Sequence, residues 1–273
     1  MKLNINANSY EFVGKMTLEA IANEVGHKGA VCAAVNGRIR ELTYKLNEDA
    51  DVEFLGLDTH DGMRIYEASL RYVFAMAIYR INPSLKIRFS YSVSRSILAT
   101  VDNAELTVEL YEKIVSVVKE IVKESLQIKR LSVSKAEAIK IYSNYGYLDK
   151  IETLKLRQED NVNLYQAGNY VNYMFSYMLP NTSYLQVFDT KFYNPGFLIF
   201  YPRAELKGML PEFVDQITFG KTLKEAYKWG KIIGGDTIAN INKHVETRDA
   251  EVDFVNLCET KHNDQLAELG NMI

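Results

Sequence analysis

Cysteine is almost missing from this chain. Its two cysteines, Cys32 and Cys258, lie far apart with no partner at metal-ligand spacing, so neither a disulfide framework nor a zinc knuckle is expected, and a reducing cytoplasm fits best. Histidine is scarce too: His27, His60, His244 and His262 share no spacing, which points to local or surface roles rather than catalysis. No charge sign is in large excess, the net value being −3. That excludes the overall basic surplus of a duplex-coating protein and leaves room for a local basic face. The longest charge-free stretch, 161–188, is rich in Asn, Gln, Tyr, Gly and Pro, which do not suit a hydrocarbon solvent, so no membrane span is expected. The opening MKLNINANSY alternates instead of forming an apolar signal core, so no export is expected.

What is present is ordinary globular material, 47% hydrophobic and 25% charged over 273 residues, enough for two domains of roughly 60 to 200 residues. Leu3 and Ile5 alternate with polar residues, and Tyr10 to Val13 offers a second short strand. Thr17 precedes Leu18, Ile21, Ala22 and Val25 at helical spacing, with Gly26 as a stop. Residues 30–35 and 38–42 flank Asn36-Gly37, a dipeptide suited to a type I′ hairpin turn. A strand over 52–57 completes ββαβββ in under about 60 residues, a β-grasp-like α+β unit.

Asp58 to Gly62 reads as a polar break. Beyond it, 65–81 has the spacing of a buried helix, 86–93 of a strand, and 103–126 of a long helix with Leu106, Leu110, Ile114, Val117, Ile121 and Val122 on one side. Ser134 and Glu137 form a capping box ahead of a further helix. Alternating aromatic and β-branched residues suggest several strands over 150–200, and helices are expected at 222–233 and 250–269. Gly220-Lys221-Thr222 imitates the end of a phosphate loop, but Asp215 stands where its first glycine belongs, so Thr222 is read as a helix cap. No acid occurs between Glu67 and Asp102, where Arg71, Arg80, Lys86, Arg88 and Arg95 are interleaved with Tyr72, Phe74, Tyr79, Phe89 and Tyr91. This is the make-up of an anion- or RNA-binding strip. The plainer reading is core aromatics with solvated basic residues paired to acids elsewhere, and it carries more weight.

Residues 35–83, VNGRIRELTYKLNEDADVEFLGLDTHDGMRIYEASLRYVFAMAIYRINP, resemble the junction between the TGS and editing domains of threonyl-tRNA synthetases. VSKAEAIKIY (133–142) and LYQAGNYVNYMFSYMLPNT (164–182) are similar to later editing-domain segments of that family. The resemblance implies an α+β chain: a TGS β-grasp domain over 1–60, an editing-like domain over 61–220, and a helical extension over 221–273. The family's editing site joins a His-x-x-x-His to a Cys-x-x-x-His, groups able to bind metal or move protons during hydrolysis of a mischarged ester. Those positions fall here on Ala68, Tyr72, Met174 and Met178. Alanine does neither task, and a phenol ordinarily titrates near pH 10, a poor base at neutrality. A thioether has no ionisable proton. Two methionines four apart suit a soft ion such as Cu(I), but core packing is the plainer expectation and no metal is expected. The resemblance thus implies a lost deacylase site and no catalytic residue in this chain.

FDTKFYNPGFLIFYPR (188–203), EAYKWGKIIGG (225–235) and LCETKHNDQLAELGNMI (257–273) resemble the region preceding the kinase domain in bacterial proteins of the phosphoribulokinase/uridine kinase family. The resemblance implies an amino-terminal part of a longer nucleoside kinase, with Mg-ATP needed only by the absent kinase domain and that domain as partner. The leading expectation is therefore a non-catalytic regulatory or ligand-recognition region. An RNA module that holds a tRNA acceptor end or a nucleotide through the basic strip is the second. A hydrolase with relocated chemistry in the former cleft, marked by converging polar side chains, is the third.

Overall fold

The computed structural model describes residues 1–6 and 8–272; Ile273, the last residue of the kinase-like segment, lies outside them. The chain opens with an antiparallel pair, β1 (Lys2–Ile5) and β2 (Asn8–Glu11). The second strand sits earlier than the Tyr10–Val13 reading, with Phe12 buried and Val13 left 98% exposed. A two-residue strand, β3 (Met16–Thr17), leads into α1 (Leu18–Glu24), where the Thr17 hydroxyl accepts the Ala20 N–H at 3.2 Å as the expected cap. Then follow β4 (Cys32–Val35), β5 (Arg38–Glu41), β6 (Lys45–Leu46) and β7 (Ala50–Leu55). Asn36 and Gly37 take φ values of 49° and 75°, the two positive angles that a type I′ turn demands. The sheet order is β2-β1-β7-β4-β5, with β1 and β7 parallel and the short β3 and β6 paired separately. Ala50, Val52 and Phe54 of β7 point inward between exposed Asp51 and Glu53, joining Leu3, Ile5, Leu18 and Ile21 in one core.

The next helix, α2 (His60–Ile81), begins inside the stretch read as a polar break. Thr59 caps it, accepting the Gly62 N–H at 3.2 Å. A β-carbon on Gly62 would lie 2.0 Å from the Gly56 carbonyl oxygen, so the helix start and the end of the first sheet approach through a glycine. β8 (Ile87–Val93) pairs with β9 (Ser96–Val101), a strand that periodicity missed because it is buried almost throughout and does not alternate. α3 (Val108–Glu124) starts later than expected, capped by Thr107, and turns Ile114, Val118, Ile121 and Val122 inward, with Val118 replacing Val117. After β10 (Ile128–Ser134) and α4 (Lys135–Tyr145) comes α5 (Leu148–Leu156), a correction to the expectation of strands from residue 150. Its LDKIETLKL sequence holds good helix formers with Asp149 in the first turn, and alternation resumes only beyond it.

β11 (Asn161–Ala167), β12 (Tyr170–Asn172), β13 (Asp189–Tyr193) and β14 (Gly196–Phe200) follow. Two further sheets have the orders β13-β14-β9-β8 and β10-β11-β12. α6 (Ile217–Ile232) begins before the expected start at Thr222. Thr222 is inside that helix with its hydroxyl donating to the Thr218 carbonyl at 3.2 Å, so it is not the cap. Gly220-Lys221-Thr222 is accordingly helical and forms no phosphate loop. α7 (Ile238–His244) and α8 (Arg248–Met272) complete the chain.

The architecture is mixed α+β, as expected. The contacts divide it into two compact units, 1–132 with 163–214 and 133–162 with 215–273. The first unit contains the five-stranded sheet, α2, α3 and the β13-β14-β9-β8 sheet. The second is helical: α5 packs on α4 and α7, and His244 stacks on Phe254 with ring centroids 4.3 Å apart. No described helix is long and apolar enough to cross a membrane.

Candidate functional site

Ala68 and Tyr72 lie one turn apart on α2 and are fully buried. The Tyr72 hydroxyl is 2.9 Å from the Tyr170 carbonyl and 3.1 Å from the Tyr165 carbonyl, and its ring leans on Tyr170 with centroids 5.2 Å apart. Tyr79, two turns on, contacts Tyr170 as well, at 5.4 Å. α2 is thereby fastened to the β11–β12 hairpin through one phenol and a cluster of rings. Met178 is buried with its sulfur 3.8 Å from the Ser69 hydroxyl, and Met174 is half-buried in irregular chain.

Ser69 is the group that sequence reading missed. Its hydroxyl donates to the Ile65 carbonyl at 2.8 Å and accepts the Leu179 N–H at 2.9 Å. A lone serine on an apolar helix carries no sequence signal that it will satisfy backbone more than a hundred residues away. The structure places Tyr72 and Met178 at the seam between α2 and the 165–179 segment, where they join backbone carbonyls, aromatic rings and a satisfied serine. These groups can pack and hydrogen-bond; alanine and the thioethers carry no ionisable proton, and the Tyr72 phenol is engaged with backbone carbonyls. Among the described residues no group of three or more His, Cys, Asp and Glu is arranged to hold a metal ion.

The basic strip is largely occupied by carboxylates. Arg71 pairs with Glu67 at 2.5 Å and lies over the Phe89 ring, 5.4 Å from its centroid. Arg80 meets Glu124 through two bonds, at 2.6 and 2.8 Å, and Arg88 meets Asp102 at 2.9 Å. The bond to Glu124 raises the Arg80 pKa, and Arg80 in turn holds the Glu124 carboxyl below its ordinary value. Lys86 and Arg95 have exposed side chains, while Tyr72 and Phe74 are core. Arg71, Arg80 and Arg88 thus face carboxylates, while Tyr79, Phe89 and Tyr91 are only half-buried.

Two tyrosine–glutamate bonds tie the first sheet to the rest of its unit. Tyr165 donates to Glu41 at 3.0 Å and Tyr184 to Glu19 at 2.8 Å. Burial first, and then the neighbouring carboxylate, pushes both phenols above their ordinary range. Tyr66 is held nearby, its hydroxyl bonded to the Val187 carbonyl and N–H at 2.9 Å each, and burial raises its pKa to about 12. Burial, with a smaller contribution from Asp61, raises the Cys32 thiol to about 12 as well, which makes it inert at neutrality. Cys258 is free and exposed.

No family model matches the chain. It is 31% identical over 157 residues to the threonine–tRNA ligase of Clostridium kluyveri, an overlap covering 57% of this chain and 25% of that protein. It is 29% identical over 182 residues to the threonine–tRNA ligase of Thermotoga petrophila, covering 65% and 28% respectively. For the same ligase of Carboxydothermus hydrogenoformans the identity is 28% over 163 residues, covering 59% and 26%. The matched region spans about a quarter of the length of these curated relatives. The chain therefore carries a threonyl-tRNA synthetase-like region, and its mixed α+β architecture is consistent with the editing-like domain of that family.

Proposed function

We propose that this chain is a recognition region derived from a threonyl-tRNA synthetase editing module that no longer hydrolyses esters. The observation that carries the reading is the engaged Tyr72 hydroxyl, bonded to backbone at 2.9 Å where the family resemblance puts a histidine. Ala68, Met174 and Met178 complete a set without a proton carrier. Cleavage of a 3′-seryl-adenosine ester by the purified protein tests it. A rate equal to that in buffer alone is expected. Ester cleavage that stays with the protein through chromatography would overturn the reading.

The finer part of the proposal is that residues 1–60 form a TGS module, 61–220 the editing-like domain and 221–273 a helical connection to a uridine-kinase-type domain. The support is the likeness of 188–203 and 225–235 to the region ahead of such kinases. In that setting the region regulates or recognises a ligand in the cytoplasm, with Mg-ATP bound by the kinase. A coding frame past Ile273 that encodes G-x-x-x-x-G-K-[ST] within about 30 residues is the expected finding. A frame without it removes the kinase.

Contact with tRNA is the second reading, favoured by the ligase relatives and by exposed Lys86 and Arg95. Filter binding across a salt series is expected to show weak affinity with a shallow slope, because Arg71, Arg80 and Arg88 already face carboxylates. Affinity that ignores salt contradicts it.

A further inference from the structure

A cavity of about 370 Å³ opens in the first unit, between the end of α1 with the loop that follows it and the segment around Tyr184. None of Ala68, Tyr72, Met174 or Met178 lines it. Its volume is within the range of sites for small molecules. Its wall combines an apolar part, including Leu42, Leu57 and the Tyr66 ring, with polar side chains from α1 and the loop.

The polar groups are of opposite kinds. Glu19, in the first turn of α1, is half-buried. One of its oxygens accepts the Tyr184 hydroxyl at 2.8 Å, so the carboxylate is fixed in position while its remaining lone pairs can accept further donors. Asn23 lies one turn along the same face. The loop after the helix adds His27, edge-on against Phe54 at 5.2 Å, and Lys28. A carboxylate held by the Tyr184 hydroxyl, a lysine and an apolar part thus line one concavity.

We propose that this cavity binds a small zwitterion, its primary ammonium on Glu19 and its carboxylate on Lys28, with a short hydrocarbon spacer on the apolar wall. Charge-assisted bonds at both ends make the fit selective for molecules that carry both groups. This goes beyond the loss of ester hydrolysis and does not depend on it, because the two places share no residue.

The probes are glycine, β-alanine, 4-aminobutyrate and 6-aminohexanoate, with butylamine and butyrate as single-charge controls. Each is titrated to about 10 mM, ten times a Kd of about 1 mM, while the amide resonances of residues 19–31 and 183–184 are followed. One chain length is expected to bind best, and each control at least about tenfold more weakly. Glu19→Gln keeps an oxygen for the Tyr184 hydroxyl and removes the charge, so the fold is retained and affinity for the best probe falls by at least about tenfold. Lys28→Ala, at an exposed loop position, gives the same loss from the other end. Three results would each overturn the proposal: no probe moves these resonances, the controls bind as well as the zwitterions, or folded Glu19→Gln and Lys28→Ala proteins bind like the parent.

Discussion

Tyr72 joins α2 to the β11–β12 hairpin through a single hydroxyl. Its hydroxyl serves the carbonyls of Tyr165 and Tyr170 inside a fully buried site, and a carbonyl deprived of its donor there cannot recruit water. Tyr72→Phe is expected to destabilise the protein by about 1–2 kcal/mol, measured as a lower urea midpoint at unchanged slope. Ser69→Ala strands the Leu179 N–H and is expected to lose about 1–3 kcal/mol by the same measurement. Ala68→His, which reinstates one histidine of the family pattern, forces an imidazole into a position with 0% exposure. It should destabilise by about 1–3 kcal/mol through overpacking and confer no activity by itself. The assignment of Ala68, Tyr72, Met174 and Met178 to the family's editing positions rests on the resemblance. The bonds of Tyr72 to the β11–β12 carbonyls and of Ser69 to Leu179 were not legible in the sequence, because those partners are set by tertiary contacts about a hundred residues away.

At the scale of elements, the polar stretch before α2 is a helix start rather than a break. The Thr59 cap was not read from the sequence, and the requirement for Gly62 arises from the Gly56 carbonyl, 2.0 Å from where a β-carbon would sit. Gly62→Ala should destabilise by more than about 3 kcal/mol, well above the helix-propensity gain of about 1 kcal/mol, and a thermal melt would read the difference. α2 and α3 are joined on their outer side by Arg80 and Glu124. Because Glu124 has a folded pKa below its ordinary 4.5, the pair contributes its stability above that value and loses it as pH falls through the folded pKa. With the carboxylate 41% exposed and screened, the contribution is about 0.5 kcal/mol, and Arg80→Ala should remove that increment at pH 7, with the difference shrinking as pH falls below 4.5. Apart from the two-residue strands β3 and β6, the ββαβββ order was readable, as was the Asn36-Gly37 turn, because a short meander writes its turns locally. β9 and α5 were not: an all-buried strand lacks alternation, and a short polar helix lacks a stripe.

For the whole molecule, the distribution of acids and bases differs from the one that the sequence order suggests. A strip with no acid between Glu67 and Asp102 looks basic only in one dimension; folding brings Glu67, Glu124 and Asp102 onto Arg71, Arg80 and Arg88. The proposed loss of ester hydrolysis stands or falls on the absence of that chemistry. The most direct measurement is release of serine from Ser-tRNA(Thr) with the protein in excess, so that even a slow single turnover is seen. The account predicts a rate equal to that in buffer alone. Hydrolysis that stays with the protein through chromatography and disappears in Tyr72→Phe would contradict it.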